Sequence, residues 1–306
     1  MDLIYKPFTN QELTGSWAVL IGNFDGFHRG HQVLARRLCE ESKRLGAKSA
    51  ILTFDPHPKQ VLQPTIPFYQ LYPNESKWRL IEQAGLDACL IAPFTHKFSA
   101  LAAEDFLDRL FRYIDLKKLL VGYDFNFGKG REGGAHLLEQ VCRSRGIEFE
   151  KMAPVKLDGL TVSSTMIRRL LFEGDFISAE KFLGRRWAIE GAVMPGHRKG
   201  HDLGFPTLNL PSAAPLPLRL GVYQCEVALG GKLYPGVCNL GFKPTFEGQS
   251  LVTEAHLFGF DREAYGEWIQ VFPIKFLREE ERFGSFEALS RQIAVDVALA
   301  KELFGR

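Results

Sequence analysis

The stretch AVLIGNFDGFHRGHQVLARRLCEESKRLG, residues 18–46, decides the fold. Ala18 to Phe24 is a short apolar run that reads as a buried strand. Gly22, Gly26 and Gly30 punctuate the next loop and let backbone approach an anion closely. From His31 to Leu45, Val33, Leu34 and Leu38 recur at helical spacing, and Gly46 closes the helix as a C-terminal cap. A strand running through a glycine loop into a helix is the repeating unit of a parallel α/β sheet. In such sheets ligands sit beyond the C-terminal ends of the strands.

The same rhythm continues. Ser49 to Phe54 reads as a strand, Asn74 to Gly85 and Ala103 to Ile114 as amphipathic helices, Leu119 to Tyr123 as a strand and Ala135 to Arg145 as a helix. Near Arg185–Trp187 the pattern changes. Short strand-like runs dominate: Trp187 to Met194, Gly221 to Leu229, Leu233 to Leu240, Thr253 to Phe260 and Trp268 to Phe276. Turns rich in Gly and Pro separate them, as in a small antiparallel barrel or sandwich. A last amphipathic helix spans Ser285 to Leu303. At 306 residues two domains are expected, residues 1–184 and 185–306.

The formal net charge of +2 is too near neutral to argue for nucleic acid or an anionic membrane surface. No run approaches a membrane-spanning length, and MDLIYKPFTNQELTGSW has polar residues where a signal peptide has its apolar run. A cytoplasmic protein is expected. The five cysteines form no CxxC pair, so neither a disulfide framework nor a zinc site is indicated. The 25 phenylalanines fit core packing better than stacking on flat ligands.

GNFDGFHRGHQ (Gly22 to Gln32) carries the first candidate site. His28 and His31 are three apart where the helix starts, so both can face one anion, and imidazole N–H groups there offset charge on a phosphate under attack. A metal site needs a third ligand that HxxH does not supply, and a helix cap with two surface histidines is the plain structural reading. VSSTMIRRL (Val162 to Leu170) offers a second anion site, with Ser163, Ser164 and Thr165 at a helix start and Arg168 one turn on; a capped surface helix would look the same. Between them lie TFDPHP (Thr53 to Pro58), with Asp55 and His57, and VGYDFNFGKGREGG (Val121 to Gly134), with Asp124, Lys129 and Arg131.

In this order, GNFDGFHRGHQ, TFDPHP, VGYDFNFG and SSTMIRRLL resemble the FMN adenylyltransferase module of bacterial bifunctional riboflavin kinase/FAD synthetases. His28-Arg29-Gly30-His31 resembles the HxGH signature of the wider nucleotidyltransferases. The resemblance implies a Rossmann-like α/β domain in which an FMN phosphate attacks the α-phosphate of ATP. His28 and His31 would stabilise the transition state, and Ser164, Thr165 and Arg168 would hold the β- and γ-phosphates. Gly22, Phe24, Asp25, Gly30 and Asp124 would line the ATP and flavin site.

GAVMPGHRKGHDLGFPTLNL (Gly191 to Leu210) resembles the riboflavin kinase signature, a flap with Gly196 and Lys199 followed by Gly204-Phe205-Pro206-Thr207-Leu208-Asn209. Thr207 and Asn209 alternate on an extended segment and share a face. Two neutral oxygens there suit a magnesium ion that already carries ATP phosphates, although two polar residues on a wet strand face would look alike. GVYQCEV, GVCNLGFKPTF, EAHLFGF and YGEWIQVFPIKFLREEERF follow in the family's order. By this resemblance the second domain is an all-β barrel with a C-terminal helix, Glu254 is the general base for the ribityl hydroxyl, and Arg278 lies near the flavin edge. ATP and Mg2+ would serve both steps, with riboflavin, FMN and FAD as substrates and products. Flavin-requiring apoproteins are candidate recipients, and free release of FMN between the sites is expected.

The chain departs from the pattern at His201, where Arg is usual, at Leu208, at Tyr72 and Ser76 beside a retained Lys77, at Asn126 and at Gly259. Three rivals stand beside this reading: an adenylyltransferase whose barrel only binds flavin, a nucleotidyltransferase for another acceptor, and a non-catalytic flavin sensor. Intact Thr207, Asn209, Glu254 and histidines weigh against them.

Overall fold

The computed structural model describes residues 1–8, 13–196, 204–212, 214–245 and 248–305. They divide into two compact units: Met1–Phe68 with Pro73–Ser164, and Tyr69–Tyr72 with Thr165–Arg306.

In the first unit the strands of the main sheet are β1 (Asp2–Tyr5), β2 (Leu13–Ile21), β3 (Lys48–Asp55), β4 (Ala88–Pro93), β5 (Ile114–Val121) and β6 (Glu148–Lys151). The longer helices between them are α1 (Arg29–Leu45), α2 (Asn74–Glu82), α3 (Ala103–Tyr113) and α4 (Ala135–Ser144), with short ones at Pro58–Leu62 and His96–Ser99. The sheet order is β1-β4-β3-β2-β5-β6, and every neighbouring pair is parallel. Alternation sorts the core into two layers. Trp17, Val19, Ile21, Leu52, Leu90 and Leu119 face Phe106, Leu110 and Leu138 of α3 and α4. Ala18, Leu20, Ile51, Cys89 and Leu120 face Leu34, Leu38, Trp78 and Ile81 of α1 and α2. Both faces are covered, which is why the strands read as unbroken apolar runs. The chain winds one way from β2 through β3 to β4 and the other way to β5, so the order reverses beside β2. The crevice beyond its C-terminal end is where this topology binds ligands.

The expected strand Ala18 to Phe24 starts earlier and stops at Ile21. Phe24 has φ 51, a left-handed conformation that ends pairing. The expected cap holds: Gly46 has φ 61, and its N–H bonds back to the last turn of α1. β1, β4 and β6 were not anticipated.

A buried ion cluster fixes α1 to the sheet. Lys118 Nζ on β5 lies 2.8 Å from Glu41 on α1 and 2.7 Å from Glu150 on β6. Arg37 and Arg44 also pair with Glu41. The Lys118 ammonium, then the Arg44 guanidinium, pull the Glu41 carboxyl from 4.5 to about 2. A depressed carboxyl stabilises the fold fully above its unfolded value and loses that contribution as pH falls through the folded one. Glu41→Gln therefore destabilises by about 2–3 kcal/mol at neutral pH. Thermal melts of variant and wild type from pH 7 downward should converge as pH approaches 2; a gap unchanged over that range would refute the cluster's charge as the cause.

The second unit contains α5 (Ser164–Glu173, from its second residue), α6 (Phe176–Leu183), β7 (Ile189–Ala192), β8 (Leu208–Ser212), β9 (Gly221–Leu229), β10 (Lys232–Thr245), β11 (Gly248–Leu257), β12 (Trp268–Arg278) and α7 (Phe286–Phe304). The strand order is β7-β12-β9-β10-β11-β8, antiparallel throughout. The Met194 N–H donates to Asn209 O at 2.9 Å and joins the chain after β7 to β8, which nearly closes the barrel. Gly221 is required where β9 meets the end of β12: at φ 142 a Cβ there would lie 2.2 Å from Arg278 O. Helix α7 is capped by the Ser285 side chain and packs Val297 and Ala300 against Val222 and Val237.

Residues Tyr69–Tyr72, far upstream in sequence, belong to this unit. Leu71 O accepts the Trp187 indole N–H at 2.8 Å, and the Arg185 guanidinium lies 4.9 Å over the Tyr72 ring. Tyr72 is buried, and burial pushes its phenol up to about 12. Among the described residues, no helix is long and apolar enough to cross a membrane.

Candidate active sites

The loop after β2 builds the first site. Gly22 lets the chain fold Phe24 back on itself, since a Cβ there would meet the Phe24 ring at 3.0 Å. Phe24 is buried, and its ring packs edge-on against the His31 imidazole with centroids 5.1 Å apart. His28 is the N-cap of α1: its Nδ1 accepts the His31 N–H at 3.3 Å. With Nδ1 accepting, the ring hydrogen of a neutral His28 is on Nε2, which is a donor. The two imidazoles stack at 3.6 Å with planes 15° apart. Gly30 makes room for this, because a Cβ would sit 3.0 Å from the His28 ring. The result is two stacked imidazoles at a helix start, in the loop that follows the C-terminal end of β2 where the sheet order reverses.

Ser164 joins this loop, its Oγ donating to Asp25 O at 2.8 Å. Asp124 is exposed just past the end of β5, and its backbone carbonyl accepts from the Asn126 amide at 2.8 Å. Thr165 and Arg168 fall in the second compact unit, where Arg168 Nε donates to Tyr69 O at 2.6 Å. Asp55 accepts from Asn74 at 2.9 Å, and His57 stacks on Phe68 at 4.2 Å. The motif reading gave Lys77 no role. Its side chain is buried, and burial lowers the pKa of its ammonium while the Asp25 charge works the other way. Among the described residues, no group of three or more His, Cys, Asp or Glu could hold a metal ion.

Strand register builds the second site. Asn209 on β8 pairs with Glu254 on β11, Glu254 with Asn239 on β10, Asn239 with Val222 on β9, and Val222 with Arg278 on β12. Directly paired residues point to one side of a sheet, so Asn209, Glu254 and Asn239 stand side by side. Glu254 is half-buried and forms an ion pair with Lys243. Asn239 donates to Glu280 at 3.2 Å. The Glu280 carboxylate occupies space that only glycine leaves open, since a Cβ on Gly241 would overlap it.

Gly196 presses on Asn209, with a Cβ there only 2.4 Å from its amide nitrogen. Asn209 Nδ2 donates to Thr207 O at 3.3 Å, so the amide oxygen is not the atom engaged in that bond. Gly204 makes the turn at φ 80, and Leu208 is buried, so the leucine departure is a packing change. His256 fixes the approach by donating from Nδ1 to Pro206 O at 2.9 Å; burial lowers its pKa. Lys199 and His201 lie outside the described residues.

Arg278 is tied down. Its guanidinium makes a two-pronged contact with buried Asp296 on α7, at 2.9 and 2.7 Å, and a further bond to Glu279 O. It joins β12 to the closing helix, a task the sequence motif did not reveal. Asn239, Lys243 and Glu280 were also missed as site residues; the i, i+2, i+4 spacing of Asn239, Gly241 and Lys243 was the available signal.

The structure thus sets a histidine pair at the topological switch of a parallel α/β domain, and a carboxylate beside two asparagines on a nearly closed barrel. Residues 10–166 match the family model described as FAD synthetase, and residues 183–304 the one described as riboflavin kinase. The bifunctional riboflavin kinase/FMN adenylyltransferase of Escherichia coli strain K12 is 37% identical over 287 residues, covering 93% of this chain and 92% of its own. That of Haemophilus influenzae is 34% identical over 306 residues, covering 99% of each chain. The chain belongs to the family of bifunctional riboflavin kinase/FMN adenylyltransferases. A crystal structure from Streptococcus pneumoniae, described as a macrolide-efflux protein, superposes with a TM-score of 0.80 at 27% identity over 97% of both chains. The efflux description is that protein's own.

Proposed function

We propose that the two sites divide the family's two reactions between the domains, with the change of activity at Gly184–Arg185. The barrel phosphorylates riboflavin to FMN, and the α/β domain converts FMN to FAD. In the first reaction the ribityl hydroxyl oxygen bonds to the γ-phosphorus of ATP, the bond to the ADP oxygen breaks, and the hydroxyl proton passes to Glu254. In the second, an FMN phosphate oxygen bonds to the α-phosphorus of ATP, and pyrophosphate leaves with the electron pair of the broken bond. His28 and His31 offset the charge that builds up there. The observation that carries this reading is the stacked His28–His31 pair capping α1 at the switch point of the sheet.

The motif resemblance, rather than geometry, supports Ser164, Thr165 and Arg168 as phosphate ligands. It likewise supports Gly22, Phe24, Asp25, Gly30 and Asp124 as contributors to the first nucleotide and flavin site, and Gly196, Lys199, Gly204 and Arg278 to the second. The Asn209 amide and Thr207 hydroxyl are neutral oxygen donors beside a carboxylate, a set that fits magnesium arriving with a nucleotide. When bound, the ion neutralises phosphate charge. We also place the enzyme in the cytoplasm, with apoproteins rather than nucleic acid as downstream partners and with FMN released between steps.

A chromatographic time course with riboflavin, excess ATP and magnesium tests the reading. FMN should rise and FAD follow. FMN converted to FAD with riboflavin untouched would remove the kinase assignment, and neither conversion would remove both.

A further inference from the structure

Lys243 enters neither reaction as assigned above, yet its ammonium is paired with Glu254. The pairing comes from register. Asn239, Gly241 and Lys243 alternate on one face of β10, and Glu254, Val252 and Ser250 answer them pair by pair on β11. Lys243 stands opposite Ser250, so its stem runs along the sheet toward Asn239 to reach Glu254. Beside it the Glu280 carboxylate lies over Gly241. Two carboxylates thus stand on the face to which the proposed kinase reaction brings the nucleotide's phosphates. Anion beside anion is unfavourable without a cation between them.

Lysine suits that place, because it is a compact charge on a flexible stem with three donors. The Lys243 and Glu254 side chains are 32% and 23% exposed, so their pair is partly solvated and weakly held. The geometry points to Lys243 as an exchange cation: it holds Glu254 in the free enzyme and passes to a terminal phosphate oxygen when ATP binds, freeing Glu254 to accept the hydroxyl proton. This rests on Glu254 being the base.

The test uses the full chain with Lys243→Met, Lys243→Arg and Glu254→Gln, and steady-state riboflavin phosphorylation with varied MgATP. FMN adenylylation and a thermal melt are run on the same samples. Lys243→Met should lower kcat by about 100-fold and raise the ATP KM, with the riboflavin KM within about twofold. Lys243→Arg should recover at least about tenfold of the lost rate, since charge is restored. FMN adenylylation should be unchanged. If Glu254→Gln is inactive while Lys243→Met keeps wild-type kcat and ATP KM, Lys243 is an incidental partner and the inference fails alone. Equal losses in the methionine and arginine variants, with all KM values unmoved, would make it a strut. If Glu254→Gln phosphorylates riboflavin normally, the base assignment fails and takes this inference with it. Should Lys243→Met not melt like wild type, Lys243→Gln replaces it with the same readings.

Discussion

Changing His28 to asparagine lowers FMN adenylylation by about 10²–10³-fold, while riboflavin phosphorylation by the same sample stays unchanged. Asparagine separates the two tasks of this residue. His28 Nδ1 caps α1 by accepting the His31 N–H, and an asparagine oxygen is an equally good cap. What it cannot replace is the imidazole N–H on the far side of the ring and the stack on His31 at 3.6 Å. The thermal transition should therefore stay close to wild type. Alanine would add the loss of the cap, about 1 kcal/mol. The decisive measurement is the initial rate of FAD formation from supplied FMN. An asparagine variant at full rate would reduce His28 to a helix cap.

Glu254→Gln stops the first step instead. Loss of a general base costs about 10²–10⁴-fold, and glutamine keeps the shape and one hydrogen-bonding oxygen. The fold should barely notice, because Lys243 is partly exposed and left solvated. Riboflavin should remain unconverted over a time course in which supplied FMN still becomes FAD. The neighbouring carboxylate provides the contrast. Glu280 is exposed and bonded to Asn239; if Glu280→Gln were the inactive variant and Glu254→Gln the active one, the base would be Glu280 and not Glu254.

The architecture was largely legible, and for identifiable reasons. Residues 18–46 state strand, loop, helix and cap in order, and Gly221–Leu229 coincides with its predicted run because both turns are marked by glycine. The strands that went unread have weak local signals. Asp2–Tyr5 and Glu148–Lys151 are short edge strands with polar residues, and pairing within the sheet makes them strands. Ala88–Pro93 lies at the sheet's interior without alternation to announce it. The sites were legible where a motif is contiguous, as for His28 and His31. They were not where register assembles them. Nothing local says that Asn239 meets Glu280 or that Lys243 reaches Glu254. Nor could spacing reveal that the Arg278 guanidinium is held by Asp296, since that bond spans a turn and half a helix.

Trp187 bears on how the molecule can be taken apart. Its indole N–H ends on Leu71 O, an acceptor 116 residues upstream. A fragment starting at Arg185 would contain every barrel strand and still leave that buried donor without its acceptor, at a cost of about 1–3 kcal/mol. Grafting the kinase onto another scaffold, or trading it between relatives, would mean carrying along a four-residue strap from the other half of the gene. Two activities drawn as adjacent boxes on a map need not be severable at the line between them.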